Sequence, residues 1–287
     1  NLENTIIVQD KNNNVYEIEM SNEETAEIVK DVPFVGFVPK DVKYKIASEL
    51  DPGSLFNYCS VNKEYSETCN NVRFWMYYIR TRYDIDPERY ETVKEYRETV
   101  KRLERVNKID DIDELSQEFR LASENGHLEV VKLLLKDPNV DPSANNNLAI
   151  RLASRYGHLE VVKLLLKDPR VDPSDNKNEA IRYASANGHL EVVKLLLSHP
   201  NVDPSDFDNA AIIWASQNGH LEVVKLLLLQ PNVDPSDDDN EAIQFASENG
   251  HLEVVKLLLK QPNVDPSDDN NYAIRLASEN GHLEVVK

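Results

Sequence analysis

The sequence predicts a mainly α-helical solenoid preceded by a smaller and different domain. Six of the seven histidines fall at 127, 158, 189, 220, 251 and 282, a spacing of 31 residues. Each sits in the same string, Gly-His-Leu-Glu-Val-Val-Lys, which uses six of the eight glycines. Residues 1–110 hold no histidine and no copy of that string. A fixed period of this size marks stacked helical units, none of which can bury its apolar face alone.

Composition bounds the function. The 287 residues are 40% hydrophobic and 29% charged, enough to bury a core and too apolar for wholesale disorder. With 51 acidic residues against 32 basic the net charge is −19, which excludes duplex nucleic acid as the default ligand. No stretch approaches the roughly 20 apolar residues of a membrane helix, so no membrane partner is expected. Cys59 and Cys69 make neither a disulfide framework nor a zinc motif. They are read as residues of a reducing compartment, Cys59 as a small buried hydrophobe. The chain opens at Asn1 with no signal-peptide pattern; any targeting segment would lie upstream.

Residues 1–35 read as a hairpin and a short helix. The β-prone runs 5–9 and 15–20 flank a polar turn at 10–14, and Ser21 with Glu24 forms a capping box for a helix to about Lys30. Residues 36–84 hold four short helical stretches, 39–50, 55–59, 62–69 and 72–82. The first opens with Pro39 and spaces Val42, Ile46 and Leu50 along one face. Residues 85–110 form a connector, one amphipathic helix from Pro87 to about Val106. Tyr90, Val93, Tyr96, Val100 and Leu103 share its apolar face, and the face with Arg89, Lys94, Arg97 and Lys101 reads as solvated.

Residues 111–287 are the repeats, six units with the last cut short. In residues 145–175, Asn145-Asn146-Asn147 supplies turn chemistry before a first helix with Ala149, Ile150, Leu152 and Ala153 on one face. Gly157 ends that helix where a positive φ is needed. A second helix, 159–166, is apolar on most sides, as suits a helix wedged between neighbours. Asp168-Pro169 stops it, and residues 171–174 lead to the next unit. The first unit departs at Asp110–Asp113 and at Glu118-Phe119, as a terminal cap should. The chain ends inside a second helix at Lys287, which reads as a truncation with further repeats beyond.

The Ala-Ser-x-x-Gly-His-Leu-Glu-Val-Val-Lys-Leu-Leu-Leu string, as at 184–197, with Val202-Asp203 after it, strongly resembles the ankyrin repeat over about residues 113–287. The family's Thr-Pro-Leu-His opening is replaced by Ala149-Ile150-Arg151, and the period is 31 rather than 33. Both departures fall around the loop and helix start and imply a shortened projecting hairpin. The Asp-Pro-x-Val-Asp-Pro version resembles repeats in large DNA viruses of amoebae. Residues 38–75 resemble an F-box: Val38-Pro39-Lys40-Asp41-Val42 answers its opening, Ile46 and Leu50 keep its spacing, Asp51-Pro52 with Leu55 fits its second segment, and Val61–Tyr65 and Phe74-Trp75 fit its later ones.

These resemblances imply a non-catalytic adaptor. The F-box-like segment would dock a Skp-family adaptor of an SCF-type cullin–RING ubiquitin ligase through Pro39, Val42, Ile46, Leu50, Leu55 and Val61, several of which could equally be internal core. The concave face of the solenoid would hold the target protein. Positions that diverge between units nominate the target contacts: Arg155 and Tyr156, Phe207 in a polar loop, Ile213 where other units have Arg, Trp214, and Tyr272. Trp214 could equally fill core, since its equivalents are Leu121, Leu152, Tyr183, Phe245 and Leu276. The acidic loops at 237–239 and 268–269 suggest solubility or a basic partner. The His-x-Glu pairs read as turn and helix-start contacts rather than metal ligands, and no cofactor or small-molecule ligand is expected. The rival reading is a scaffold, virion or virus–host interaction protein with no ubiquitin role. The expected location is the cytoplasm or nucleus of an infected host cell.

Overall fold

In a computed structural model the described residues are 5–9, 15–19, 52, 53, 55, 59, 69–85, 87 and 92–287. They divide into two compact units, Asn1–Ile109 and Asp110–Lys287.

In the first unit, strands β1 (Thr5–Gln9) and β2 (Val15–Glu19) pair antiparallel with Ile7 opposite Glu17. The expected turn at 10–14 and the capping-box helix after Ser21 lie outside the described residues, as do Pro39, Val42, Ile46, Leu50 and Val61. Helix α1 (Val72–Tyr83) packs on α2 (Val93–Val106). Phe74, Trp75, Tyr78 and Ile79 meet a core that includes Tyr96, Val100 and Leu103, all fully buried. The Trp75 indole N–H donates to the Cys69 carbonyl at 2.8 Å, so the ring is buried without an orphaned donor.

Three expectations need correction in this unit. The connector helix begins at Val93, not Pro87, because Thr92 and Glu95 form a reciprocal capping box there. Its basic face is not uniformly solvated: the Arg97 guanidinium lies 5.5 Å from the Trp75 ring centroid. Cys59 is not a free thiol, since it forms a disulfide with Cys69 across a Cα separation of 5.7 Å. Leu55 has no accessible surface and sits as a core side chain, with nothing to present to a docking partner.

The second unit is a two-layer stack of helix pairs. The first-layer helices are α3 (Ile112–Glu124), α5 (Ala144–Arg155), α7 (Asp175–Ala186), α9 (Asp206–Gln217), α11 (Asp237–Glu248) and α13 (Asp268–Glu279). The second layer holds α4 (Leu128–Leu134), α6 (Leu159–Leu165), α8 (Leu190–Leu197), α10 (Leu221–Leu227), α12 (Leu252–Leu258) and α14 (Leu283–Val286). Each helix contacts its counterpart in the next repeat. Two valines and a leucine of every complete second-layer helix, such as Val192, Val193 and Leu196, are buried.

Between α4 and α5, and at each later junction, the connection has no strand among the described residues. The chain instead makes one left-handed turn. Residues 145–147, 176–178, 207–209, 238–240 and 269–271 all have φ between 45° and 65°. An L-residue there costs about 1–2 kcal/mol, least for Asn and Asp, whose short side chains bond locally. Thirteen of the fifteen are Asn or Asp; the others are Lys177 and Phe207. The shortened hairpin is thus a different device.

The third residue of each turn joins the repeats. Asn178 is 4% exposed; its side-chain oxygen accepts the Asp203 N–H at 3.0 Å and its amide donates to Asp206 at 3.1 Å. Asn147, Asn209 and Asn240 repeat both bonds. The receiving aspartate uses its other oxygen on the first N–H of its own turn, as Asp206 does for Phe207 at 2.8 Å. On the opposite side of the repeat runs a histidine ladder. His189 Nε2–H donates to the Arg155 carbonyl at 2.9 Å, and His158, His220, His251 and His282 do the same 34 residues back. Burial, then the neighbouring His189 and His251, pull His220 below its ordinary pKa against the pull of its carbonyl bond.

The histidine explains the glycine before it. Gly157 has φ +75°, and a Cβ there would lie 2.5 Å from the His189 ring; Gly281 has the same φ with nothing within 4 Å. Gly157→Ala is expected to lower stability by about 2–4 kcal/mol and Gly281→Ala by only about 1 kcal/mol. Urea unfolding of the two variants checks this, and equal losses would show that the ring contact carries no weight.

Candidate protein-binding face

The first layer of the stack carries both a constant and a variable set of side chains. Its constant set is buried, as Ala180, Ile181 and Ala184 are in α7. One residue per helix stays half-buried at the same register: Leu121, Leu152, Tyr183, Trp214, Phe245 and Leu276. They form an apolar stripe along the first-layer face, aromatic in its three middle members. Tyr183 and Trp214 stack across the repeat boundary with ring centroids 6.0 Å apart and planes at 28°. Trp214 therefore fills space between repeats and still keeps accessible surface.

Beside the stripe runs the register of Arg151, Arg182, Ile213, Gln244 and Arg275. Its first job is local. A left-handed turn leaves carbonyl groups without helical partners, and a long donor from the following helix can reach them. Arg151 bonds the carbonyls of Asn145 and Asn146 at 3.1 and 3.2 Å. Arg182 bonds those of Lys177 and Asn176 at 2.8 and 3.0 Å, and Gln244 bonds that of Asp239 at 2.5 Å. Arg151 also pairs with Glu179 at 2.6 Å.

The fourth repeat breaks this pattern twice. Ile213 brings no donor and is 4% exposed, so it is a core contact and not the target anchor expected of it. Phe207 is 44% exposed while held at φ 58°, ψ 54°. A bulky residue in that region is an outlier that sequence economy does not explain, since Asn serves the same position at 145 and 176. Phe207 receives cations from the preceding repeat: the Arg182 guanidinium is 4.5 Å and the Lys177 ammonium 5.0 Å from its ring centroid. Arg182 also stands 5.3 Å from the Trp214 ring. Burial lowers the pKa of Arg182, with Glu179 raising it.

One repeat earlier, the exposed Arg155 reaches over Tyr183 at 4.9 Å and over Tyr156 at 5.8 Å. Tyr156 is 47% exposed, with its ring stacked on His158 at 6.4 Å. The structure thus brings Arg155, Tyr183, Trp214, Arg182, Phe207 and Lys177 into one alternating strip over three repeats. Tyr272 stands apart in the sixth repeat, half-buried under Arg275 at 5.5 Å. Lys177, Arg182 and Tyr183 were not singled out by sequence. The available signal was that 177 and 207 are the two turn positions holding neither Asn nor Asp.

Where the polar ladder is interrupted, the stack opens. Ser116 and Ala144 occupy the registers of the bridging Asn and Asp between α3 and α5, and both line a cleft of about 250 Å³ floored by Phe119, Leu148 and Ala149. Among the described residues no group of three or more His, Cys, Asp or Glu could hold a metal. The His-x-Glu pairs are used locally: the histidines in the ladder, and Glu160, Glu191, Glu222, Glu253 and Glu284 in ion pairs with the lysine three residues on. No described helix is long and apolar enough to cross a membrane.

A family model described as ankyrin repeats (3 copies) matches residues 94–176, 119–208, 167–239 and 212–287. The chain belongs to the ankyrin-repeat family. The matches span 94–287, well over half its length, and take in helix α2 as well as the six pairs. No curated protein matches the chain. Ankyrin repeats are a protein–protein interaction module, and in this ankyrin-repeat chain the first-layer strip is the face whose residues vary while the ladder positions recur.

Phe207 separates binding from stability. Phe207→Asn removes a strained aromatic and its cation contacts, each worth about 0.5–1 kcal/mol when exposed, against a relief of about 1–2 kcal/mol. The variant is expected to be about 0.5–1 kcal/mol more stable in urea unfolding. A loss of stability would make Phe207 a packing residue.

Proposed function

We propose that the protein is a non-catalytic adaptor that captures a target protein on the first-layer face of its ankyrin repeats. The observation that supports this most is the partly exposed aromatic and cationic strip set on a stack whose other contacts recur from repeat to repeat. Large aromatics and arginine anchor interfaces because they bury much area at small entropic loss. Arg155, Tyr156, Phe207, Trp214 and Tyr272 are the proposed target contacts. The action is proximity: a rigid rod holds the target near whatever its other domain recruits.

For that other domain we propose an F-box-like role for residues 36–84, docking a Skp-family adaptor of an SCF-type cullin–RING ubiquitin ligase through Pro39, Val42, Ile46, Leu50 and Val61. The resemblance of residues 38–75 supports this. The proposed setting is the cytoplasm or nucleus of a host cell infected by a large DNA virus, by likeness of the repeats.

The Cys59–Cys69 disulfide favours a second reading, a virion or virus–host interaction scaffold with no ubiquitin role, because such bonds persist on virion and cell surfaces and are rare in reducing compartments. A pull-down with purified Skp-family adaptor decides between them. Binding that a Pro39/Ile46/Leu50 triple alanine variant abolishes supports the ligase role; no binding by the parent chain leaves the scaffold. In either case, proteins co-purified with the full chain should be lost from a Phe207→Ala/Trp214→Ala variant, and unchanged partners would refute the capture face.

A further inference from the structure

We infer that the strip from Arg155 to Phe207 is built for an acidic segment of the partner, one that carries a large apolar side chain next to carboxylates. This rests on the capture reading above and specifies its ligand.

Three observations carry it. First, the strip is a positive island in a negative protein. Residues 111–287 hold 16 basic and 30 acidic residues, yet Arg155, Lys177 and Arg182 converge on three aromatic rings within two repeat boundaries. Second, two of those cations are exposed and hold no carboxylate among the described residues. That contrasts with the second-layer lysines Lys163, Lys194, Lys225 and Lys256, each paired to a glutamate within 2.8 Å. Arg155 and Lys177 are positioned instead by ring faces, which orient a cation without neutralising it. A carboxylate arriving from a partner finds them already placed. Third, Lys177 and Phe207 are the two residues held in left-handed turns where Asn or Asp is the unstrained choice, and they meet across adjacent repeats at 5.0 Å. Strain at two positions that touch each other, on an exposed face, points to selection for what they present.

The extent of the seat is bounded as well. Asp237, Asp238 and Asp239 in the fifth repeat and Asp268 and Asp269 in the sixth would repel an acidic chain, so the segment is confined to repeats two to four. Its apolar side chain meets Phe207 and the accessible part of Trp214, with carboxylates toward Arg155 and Lys177.

The test is selection of a random dodecapeptide library on the full chain, followed by solution binding of the leading peptides to the parent and to an Arg155→Glu/Lys177→Glu variant of matched thermal stability. The expected winners place Asp or Glu within a few residues of Trp, Phe, Tyr or Leu. They should bind the charge-reversed variant roughly tenfold or more weaker and weaken in about 0.5 M salt. Winners that are basic or lack acidic residues, or acidic winners that bind both chains equally, overturn the inference and leave protein capture standing. Failure to enrich any peptide overturns it too. The co-purification comparison for Phe207 and Trp214 then reports separately on the capture reading.

Discussion

One buried amide side chain joins each repeat to the next. Asn147, Asn178, Asn209 and Asn240 each accept a backbone N–H and donate to a carboxylate of the following repeat while 4–5% exposed. A buried polar group that lost these partners would incur about 1–3 kcal/mol of unrecovered desolvation, so every junction is fixed in one register. The amide reaches both partners only because its backbone lies in a left-handed turn, and the turn needs residues that tolerate positive φ. The Asn/Asp richness of the loops, the departure from the usual hairpin and part of the chain's negative charge follow from that one geometric demand. The acidic loops that suggested solubility or a basic partner have a structural reason of their own.

The ladders leave part of the first layer free to vary. On one side the histidines tie each repeat to a carbonyl 34 residues earlier and exclude a Cβ at the glycine they cover; on the other the asparagines close the loops. Between them the exposed registers of the first-layer helices change from repeat to repeat without disturbing either ladder. Binding chemistry therefore collects there: an arginine that clamps a turn in one repeat also faces the phenylalanine of the next. The same logic explains the cleft beside the first repeat, where Ser116 and Ala144 are too short to bridge.

Much of this stack was legible in the sequence. The histidine period gave the repeat, Gly157 announced a positive φ, and the second-helix valines and leucines announced burial on several sides. What could not be read was why the histidine recurs, because its partner lies in the preceding repeat and nothing local reveals a contact 34 residues away. Asn145–Asn147 signalled a turn, but three successive left-handed residues have no simple sequence rule. Ile213 looked like an exposed apolar anchor because its equivalents are charged; those arginines turn inward to carbonyls, so their register is an interior one. In the first unit, Cys59 and Cys69 looked unremarkable ten residues apart until helical packing brought them together. The capping box at Thr92 was plain in the sequence and outweighs the proline at 87 that suggested an earlier start.

The dependence of the stack on its buried asparagines is most directly measured by a double-mutant cycle across one junction, with Asn178→Ala, Asp206→Ala and the pair compared by urea unfolding. The account predicts a coupling of about 1 kcal/mol or more between the two sites, with each single change clearly destabilising. Additive losses within about 0.3 kcal/mol would contradict it. They would mean that apolar packing alone sets the register of the repeats.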